Sequence, residues 1–254
     1  ERNALLISPE RIKEFQDICA RERVNCEVLG EVTGSGKIEL IDSENDSTVV
    51  DLELEKILGK MPQKTFSDKR LKTKLEAISY SDELTVEDAL TNVLKMLSVG
   101  SKRFLTNKVD RSVTGLIARQ QCCGPLQLPV SDVAVIAQSH FNKTGAAISI
   151  GEQPIKMIID PKAGARMSIG EALTNMVWAP IEQGLKGISL SANWMWPCKN
   201  AGEDARLYQA VQSISDFAIE LGINIPTGKD SLSMTQKYGK DDVVYSPGTV
   251  IIST

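Results

Sequence analysis

Apolar and polar positions in the first part of the chain predict a small mixed domain. The opening run ALLI is typical of a β-strand, and Ile12, Phe15 and Ile18 then recur at the spacing of one helix face. The segments CEVLGEVTG and KIELID flank Gly34 and Gly36, which predicts a hairpin. We therefore expect the order β-α-β-β and assign residues 1–55 to part of an α+β domain.

The next segment predicts a linker that contains one helix. Residues 56–82 are charged and weakly periodic, as expected for a connection between domains. Thr85 and Asp88 have the spacing of a capping box. The apolar residues of the following segment, VEDALTNVLKML, fall on one helix face. We assign residues 56–100 to this linker with its helix.

Residues 101–254 alternate between strand-like and helix-like segments. The predicted strands are DVAVIA, AAISIG, KMIID, KGISLSANW and VVYS, and the predicted helices are SIGEALTNMVWAPIEQG and EDARLYQAVQSISDFAIELG. This alternation predicts an α/β layer structure for a second domain.

Composition and charge exclude several classes of function. The chain has 254 residues, of which 42% are hydrophobic and 24% charged, and its formal net charge of −4 lacks the basic surface of a nucleic-acid binder. No run approaches the roughly 20 apolar residues of a membrane span. Five cysteines without a CxxC pair argue against zinc or a disulfide framework and favour a reducing cytoplasm. The chain also opens in a strand-like run without Met, so we expect an internal piece of a longer protein.

The first group of candidate ligands combines one helix with one strand start. Glu171 and Asn175 are four residues apart in SIGEALTN, so on a helix they share one face. Asp132 immediately precedes an apolar strand. Oxygen donors of this kind suit Mg²⁺ beside nucleotide phosphates. The spacing alone leaves open a solvated helix face with an unrelated Asp in a turn.

A second group of candidates lies in IPTGKDSLSM, where Lys229, Asp230 and Ser231 combine a cation with small polar groups. Phosphate binding would suit these groups. The segment is no Walker loop, because Asp230 follows the lysine where that motif requires Ser or Thr. A polar turn at the end of a strand remains the alternative.

His140 is the single histidine, which excludes a Ser-His-Asp or Cys-His arrangement except through that residue.

Polar residues also cluster beside glycines in SKRFLTNKVDRSVTGLIARQQCCGPLQLPVSD. This density of amides and cations suggests the edge of a ligand site. The residues concerned are Lys102, Arg111, Gln120, Gln121 and Gln127.

Several of these strings resemble the synthetase region of large, single-chain phosphoribosylformylglycinamidine synthases. The strings are DRSVTGLIARQQCCGPLQLPVSDVAV, SIGEALTNMVWAPI, ISLSANWMWPCKNAGEDARLYQAV and IPTGKDSLSM, and RERVNCEVLGEVTGSGKIEL is similar to the part just upstream. The resemblance covers essentially the whole chain in the family's order. It implies an aminoimidazole-ribonucleotide-synthetase-like, ATP-binding-type α/β domain at residues 101–254, preceded by the linker and the end of a first α+β domain.

The resemblance also implies roles for individual residues. Asp132, Glu171 and Asn175 would be Mg²⁺ ligands, and Ser131 and Lys102 would lie beside ATP or ADP. Further ligands and the glutaminase residues would lie beyond this sequence, so no catalytic residue is assigned here. Candidate phosphate or substrate contacts are Lys229, Asp230 and Ser231.

Two functions from different classes follow from the resemblance. The first is a fragment of the ATP-dependent ligase that converts formylglycinamide ribonucleotide and glutamine-derived ammonia to formylglycinamidine ribonucleotide in purine biosynthesis. Its partners would be sister synthetase and glutaminase domains. The second is a structural nucleotide-binding scaffold without catalysis. We expect the isolated chain to be inactive in either case.

Overall fold

The computed structural model describes residues 2–72, 74–106, 111–112, 115–239 and 242–254. Contacts between residues divide the chain into two compact units, Glu1–Thr65 and Phe66–Thr254. The three predicted domain ranges remain a prediction.

The first unit contains a helix followed by a hairpin. After a short 3-10 turn come α1 (Ile12–Arg21), the antiparallel strands β1 (Lys37–Asp42) and β2 (Ser47–Glu53), and α2 (Leu54–Leu58).

The predicted order β-α-β-β is wrong for this unit, because neither ALLI nor CEVLGEVTG forms a strand in the described residues. The hairpin turns instead between β1 and β2. Asp42 Oδ1 accepts the Glu44 N–H at 2.9 Å, and Asp46 adopts a positive φ of 47°. Asp residues stabilise turns through such side-chain hydrogen bonds and tolerate a positive φ, and the prediction of a turn at Gly34 and Gly36 did not consider them.

The second unit begins with a segment that lacks regular structure in its described residues, followed by one well-capped helix. The helix α3 (Val86–Lys95) begins at Thr85, whose side-chain oxygen accepts the Asp88 N–H at 3.1 Å. The predicted cap is therefore confirmed. The described residues between α2 and Thr85 form no helix or strand.

A six-stranded sheet forms the centre of the second unit. Its strands in spatial order are β3 (Ile117–Arg119), β6 (Val133–Ala137), β7 (Gly145–Glu152), β12 (Thr249–Ser253), β8 (Ser189–Met195) and β9 (Asn224–Ser231). Only the pair β8 and β9 is parallel, and the crossover between them is α7 (Glu203–Leu221). The remaining pairs in this sheet are antiparallel.

Shorter elements complete the described part of this unit. Two separate two-stranded ladders pair β4 (Cys122–Cys123) with β5 (Leu128–Pro129) and β10 (Thr235–Tyr238) with β11 (Asp242–Tyr245). The other helices are α4 (Arg103–Thr106), α5 (Pro154–Ile159), α6 (Pro161–Met176) and a 3-10 turn at Gly184–Gly187.

Two predicted elements differ from the structure. KMIID, predicted as a strand, lies mostly within α5, whose first residue is a helix-initiating proline. The predicted helix at SIGEALTN begins earlier, at Pro161, because the Asp160 side chain accepts the N–H groups of Lys162 and Ala163 and caps α6 there.

The core of the second unit lies between one face of the sheet and the helices α6 and α7. Trp196, Ile169 and Ile252 are completely buried in it, and Leu190 nearly so. The fold is thus a mixed α and β layer, which confirms the predicted class. Measured against the length and hydropathy that a bilayer span requires, every helix in the described residues falls short.

Candidate functional site

The candidate site lies where β7 extends beyond its neighbour β6. Pairing between these strands starts at Val133 and Ser149, whereas β7 continues to Glu152. Two side chains of α6 bind the backbone of this extension. Asn175 Nδ2 donates to the Ile150 carbonyl at 3.0 Å, and Glu171 Oε2 accepts the Glu152 N–H at 2.7 Å.

Close packing of α6 against β7 brings these side chains into reach. A Cβ atom added at Gly151 would lie 2.1 Å from the Ser168 carbonyl oxygen and 2.4 Å from the Ala172 nitrogen. Only glycine permits this approach. The buried Ser149 hydroxyl adds a tie to the same helix by donating to the Ala172 carbonyl at 2.7 Å.

The helix and the strand start border one cavity of about 440 Å³. Asp132 precedes β6, and Glu171 and Asn175 project from α6. All three predicted metal ligands therefore line the same cavity, together with Ser131 and Gln121. The structure brings together four of the five residues for which the family resemblance implies a nucleotide or metal role.

Hydrogen bonds fix the direction of the two ligand candidates on α6. Glu171 Oε2 accepts from Gln153 Nε2 at 2.8 Å in addition to the Glu152 N–H, so its other oxygen remains for a cation. Asn175 uses its amide nitrogen on β7, which turns its oxygen to the opposite side.

The donor set fits a hard cation that retains water. Two carboxylates and an amide oxygen are the ligand types that Mg²⁺ prefers, and Mg²⁺ keeps several waters. In the described part of the chain, no group of three or more His, Cys, Asp or Glu side chains could hold a metal ion. A cation here would therefore need the Asn175 oxygen and non-protein ligands.

Ser131 is held in place by an arginine. Arg119 Nε donates to Ser131 Oγ at 2.8 Å, and Ser131 Oγ donates to the Val133 carbonyl at 3.0 Å. Lys102 does not line the cavity, and its ammonium group donates to the Gly100 carbonyl. A nucleotide role for Lys102 therefore remains a prediction without a contact that supports it.

Lys229, Asp230 and Ser231 belong to strand β9, so the alternative of a strand-end turn is wrong. Side chains alternate across a strand, which places Lys229 and Ser231 on one face of the sheet and Asp230 on the other. Lys229 Nζ accordingly donates to Ser231 Oγ at 2.5 Å.

Asp230 contributes instead to an acidic environment around Cys198. Burial raises the pKa of the Cys198 thiol to about 12, with a further contribution from a hydrogen bond and charge of Asp204 and smaller ones from Glu203 and Asp230. The three predicted phosphate contacts therefore do not form one cluster.

Some residues at the site carried no recognisable sequence signal. Glu152 and Gln153 bind Glu171, and Arg119 binds Ser131, yet all three lie at strand ends that sequence patterns define poorly. The pairing of Glu171 with a backbone group 19 residues away depends on tertiary packing.

Other predicted polar residues bind one another outside the cavity. The Arg111 guanidinium donates to Gln120 Oε1 at 3.2 Å and to Gln127 Oε1 at 2.5 Å. His140 is exposed beside Phe141. Neither group lines the cavity.

Curated relatives match the chain over its whole length. A protein of Dictyostelium discoideum named phosphoribosylformylglycinamidine synthase is 48% identical, and one of Arabidopsis thaliana named probable phosphoribosylformylglycinamidine synthase, chloroplastic/mitochondrial, is 47% identical. Each match covers 100% of this chain and 19% of the relative. The chain thus spans about a fifth of the length of these relatives.

Solved structures share the fold at low sequence identity. The structure of PurLQS from Thermotoga maritima has a TM-score of 0.65 and 14% identity, covering 97% of this chain and 36% of that one. T. maritima PurL complexed with ATP and the same protein complexed with FGAR each give 0.56 and 12%, covering 97% and 35%.

A family model described as the FGAR-AT PurM_N-like domain matches residues 101–254, which include the sheet, α6 and every cavity-lining residue. The chain therefore belongs to the FGAR-AT PurM_N-like domain family.

Proposed function

We propose that this chain forms a Mg²⁺-nucleotide-binding part of a phosphoribosylformylglycinamidine synthase, a C–N ligase of purine biosynthesis that uses glutamine as amido donor. The full-length match to relatives of that name supports the proposal. The observation that carries it is the convergence of Asp132, Glu171 and Asn175 on one cavity beside Ser131.

The proposed metal site combines two residues of α6 with the residue that precedes β6. Asp132, Glu171 and Asn175 would hold Mg²⁺, which would neutralise charge on nucleotide phosphates. Ser131 would contact the nucleotide, and its hydrogen bond from Arg119 fixes the hydroxyl for that contact. T. maritima PurL has been solved complexed with ATP and complexed with ADP, in agreement with nucleotide binding in proteins of this fold.

The cavity lining favours a structural nucleotide over a reacting one. No Lys, Arg, His or Cys is among the described residues that line it. A phosphoryl-transfer site needs cationic groups around the charge that moves onto phosphate oxygens. We therefore propose retention of Mg²⁺-nucleotide as the role of this cavity, with turnover at another site of the parent enzyme.

The parent enzyme would act on formylglycinamide ribonucleotide with glutamine-derived ammonia, and sister synthetase and glutaminase domains would be its partners. T. maritima PurL has been solved complexed with FGAR, in agreement with this substrate. Location in the cytoplasm is part of the proposal, although the A. thaliana relative is named chloroplastic/mitochondrial. The isolated chain should show no glutamine- or ammonia-dependent turnover.

Calorimetric titration with Mg·ADP tests the proposed site. Glu171→Gln keeps an oxygen that can accept the Glu152 N–H, so β7 stays in place while the negative charge is lost. We expect this variant to weaken Mg·ADP binding at least tenfold, because a charged ligand contributes about 1.5–3 kcal/mol.

The matched control is Glu220→Gln, which removes the same charge from an exposed position of α7. It should leave the Mg·ADP affinity unchanged. Mg·ADP binding that Glu171→Gln leaves intact, or binding that is the same with and without Mg²⁺, would refute the metal assignment.

A further inference from the structure

The chain folds back on itself at the end of α1. Val24 donates its N–H to the Cys19 carbonyl at 2.8 Å. Arg23 donates to the Ala20 carbonyl at 3.2 Å and adopts a positive φ of 58°, which completes a Schellman motif. Cys26 follows Val24 by two residues, a length of chain that spans about 7 Å when fully extended. The backbone therefore returns a second cysteine to the helical turn that carries Cys19.

The two cysteines are shielded from solvent at the same place. Cys19 is 8% exposed and is the single buried residue of α1. From residue 16 to residue 41, a stretch that the structure describes without a gap, every residue is exposed except Cys19 and the half-buried Cys26. This pattern is expected when the two side chains pack against each other. Cys26 keeps some exposure, so a solute can reach the pair through it.

The two thiols also interact electrostatically. Burial raises the pKa of the Cys19 thiol above its ordinary value, and the charge and a hydrogen bond of the Cys26 thiol raise it further. Cys19 therefore stays protonated near neutral pH. Because Cys26 is the more exposed of the two, it is the thiol that meets a reagent first.

We propose that Cys19 and Cys26 are a redox site that glutathione disulfide converts to an intramolecular disulfide. The Cys26 thiolate attacks one sulfur of glutathione disulfide, whose S–S bond breaks and releases one glutathione thiolate. Cys19 then gives its proton to solvent and attacks the Cys26 sulfur, which forms the Cys19–Cys26 bond and releases the second glutathione. The two cysteines lose two electrons, and glutathione disulfide gains them to become two glutathione thiols.

The surroundings of the pair predict a disulfide that excess reduced glutathione can break. Disulfides in reducing compartments are usually transient, and exposed ones are reduced more easily than structural ones. The pair lies in the unit Glu1–Thr65, whereas every residue that lines the proposed Mg²⁺ cavity lies in Phe66–Thr254. The proposal therefore goes beyond the proposed nucleotide role and does not depend on it.

Tryptic digestion without reductant tests the bond directly, because trypsin cuts the chain between the two cysteines, after Arg21 and after Arg23. Cys19 then falls in the peptide EFQDICAR and Cys26 in VNCEVLGEVTGSGK. The full 254-residue chain is incubated with glutathione disulfide, its remaining thiols are blocked with iodoacetamide, and it is digested. Mass spectrometry should find the two peptides joined. Treatment with excess reduced glutathione before blocking should return them as separate, alkylated peptides.

Cys26→Ser and Cys123→Ser are a matched pair of variants, because each replaces a half-buried cysteine. Cys26→Ser should abolish the joined peptide, and Cys123→Ser should leave its amount unchanged. Cys19→Ala removes the thiol that displaces the second glutathione. Cys26 of that variant should therefore remain bound to one glutathione.

Three results would overturn the proposal. The first is recovery of the two peptides separately from the unmodified chain after treatment with glutathione disulfide. The second is a joined peptide that occurs solely in covalent dimers on a non-reducing gel, because the bond would then link two copies of the chain. The third is a disulfide that pairs Cys26 with a cysteine other than Cys19. Loss of Mg·ADP binding would leave all of these measurements unaffected, so the two proposals fail separately.

Discussion

Gly151→Ala tests whether close packing of α6 on β7 builds the site. The added Cβ would lie 2.1 Å from the Ser168 carbonyl oxygen and 3.1 Å from the Ala172 Cα. Both contacts are with backbone, so a side-chain rotation cannot relieve them. The helix would have to move away by roughly 1 Å to restore ordinary contact distances.

That movement has an energetic and a functional cost. Overpacking in a core costs about 1–3 kcal/mol, and we expect the upper end because backbone atoms clash. The same shift would stretch the Asn175–Ile150 and Glu171–Glu152 hydrogen bonds, now 3.0 and 2.7 Å long, past useful lengths. Affinity for Mg·ADP should therefore fall together with stability.

Urea unfolding followed by tryptophan fluorescence measures this effect in the relevant unit. Trp178, Trp194 and Trp196 are the only tryptophans, and all lie in the unit Phe66–Thr254. A loss of about 3 kcal/mol would lower the midpoint by about 1 M or more.

The matched control is Gly170→Ala on the same helix, where a Cβ would meet nothing within 4 Å. Alanine should stabilise α6 there by about 0.5–1 kcal/mol, so the two substitutions should have opposite signs. A Gly151→Ala variant that unfolds at the wild-type urea concentration would refute the packing argument.

Three further predictions concern other parts of the second unit. Ile169→Ala, at a completely buried position, should lower the free energy of unfolding by about 2–5 kcal/mol in the same urea assay. Backbone N–H groups of Lys69, Gly202 and neighbouring residues lower the pKa of Asp68, so its docking to α7 is present above about pH 4 and is lost as pH falls through the lowered pKa. Hydrogen exchange at the Gly202 amide should accelerate over that range, and Asp68→Asn should abolish the change. Cys198, with its pKa raised to about 12 by burial and by Asp204, should resist iodoacetamide at about pH 8.5 until urea unfolds the chain; rapid labelling of folded protein would contradict this.

Helices and strands that depend on residues close together in the sequence were predicted approximately. The apolar periodicity of α7 and the apolar runs of β6 and β8 gave approximately the observed elements, and Thr85 gave the start of α3. The spacing of Glu171 and Asn175 also correctly placed both on one helix face.

Features that depend on pairing between strands far apart in the sequence were not predictable from such patterns. GKDS resembles a polar turn, but it forms a strand because β8 provides a parallel partner along its length. The N-terminal strands were wrong because apolar runs form strands only where another strand pairs with them, and ALLI has none in the described residues.

Strand β6 begins opposite Ser149, so the last residues of β7 have no strand partner on that side. The residues that repair the uncovered edge, Glu171 and Asn175, are also the proposed cation ligands. A descendant that no longer binds a metal would still be under selection to keep hydrogen-bonding side chains at both positions. Glutamate and asparagine there are therefore poor markers of cation binding. The Asp132 side chain makes no hydrogen bond to the sheet within the described part of the chain, so its identity is the more informative one to compare.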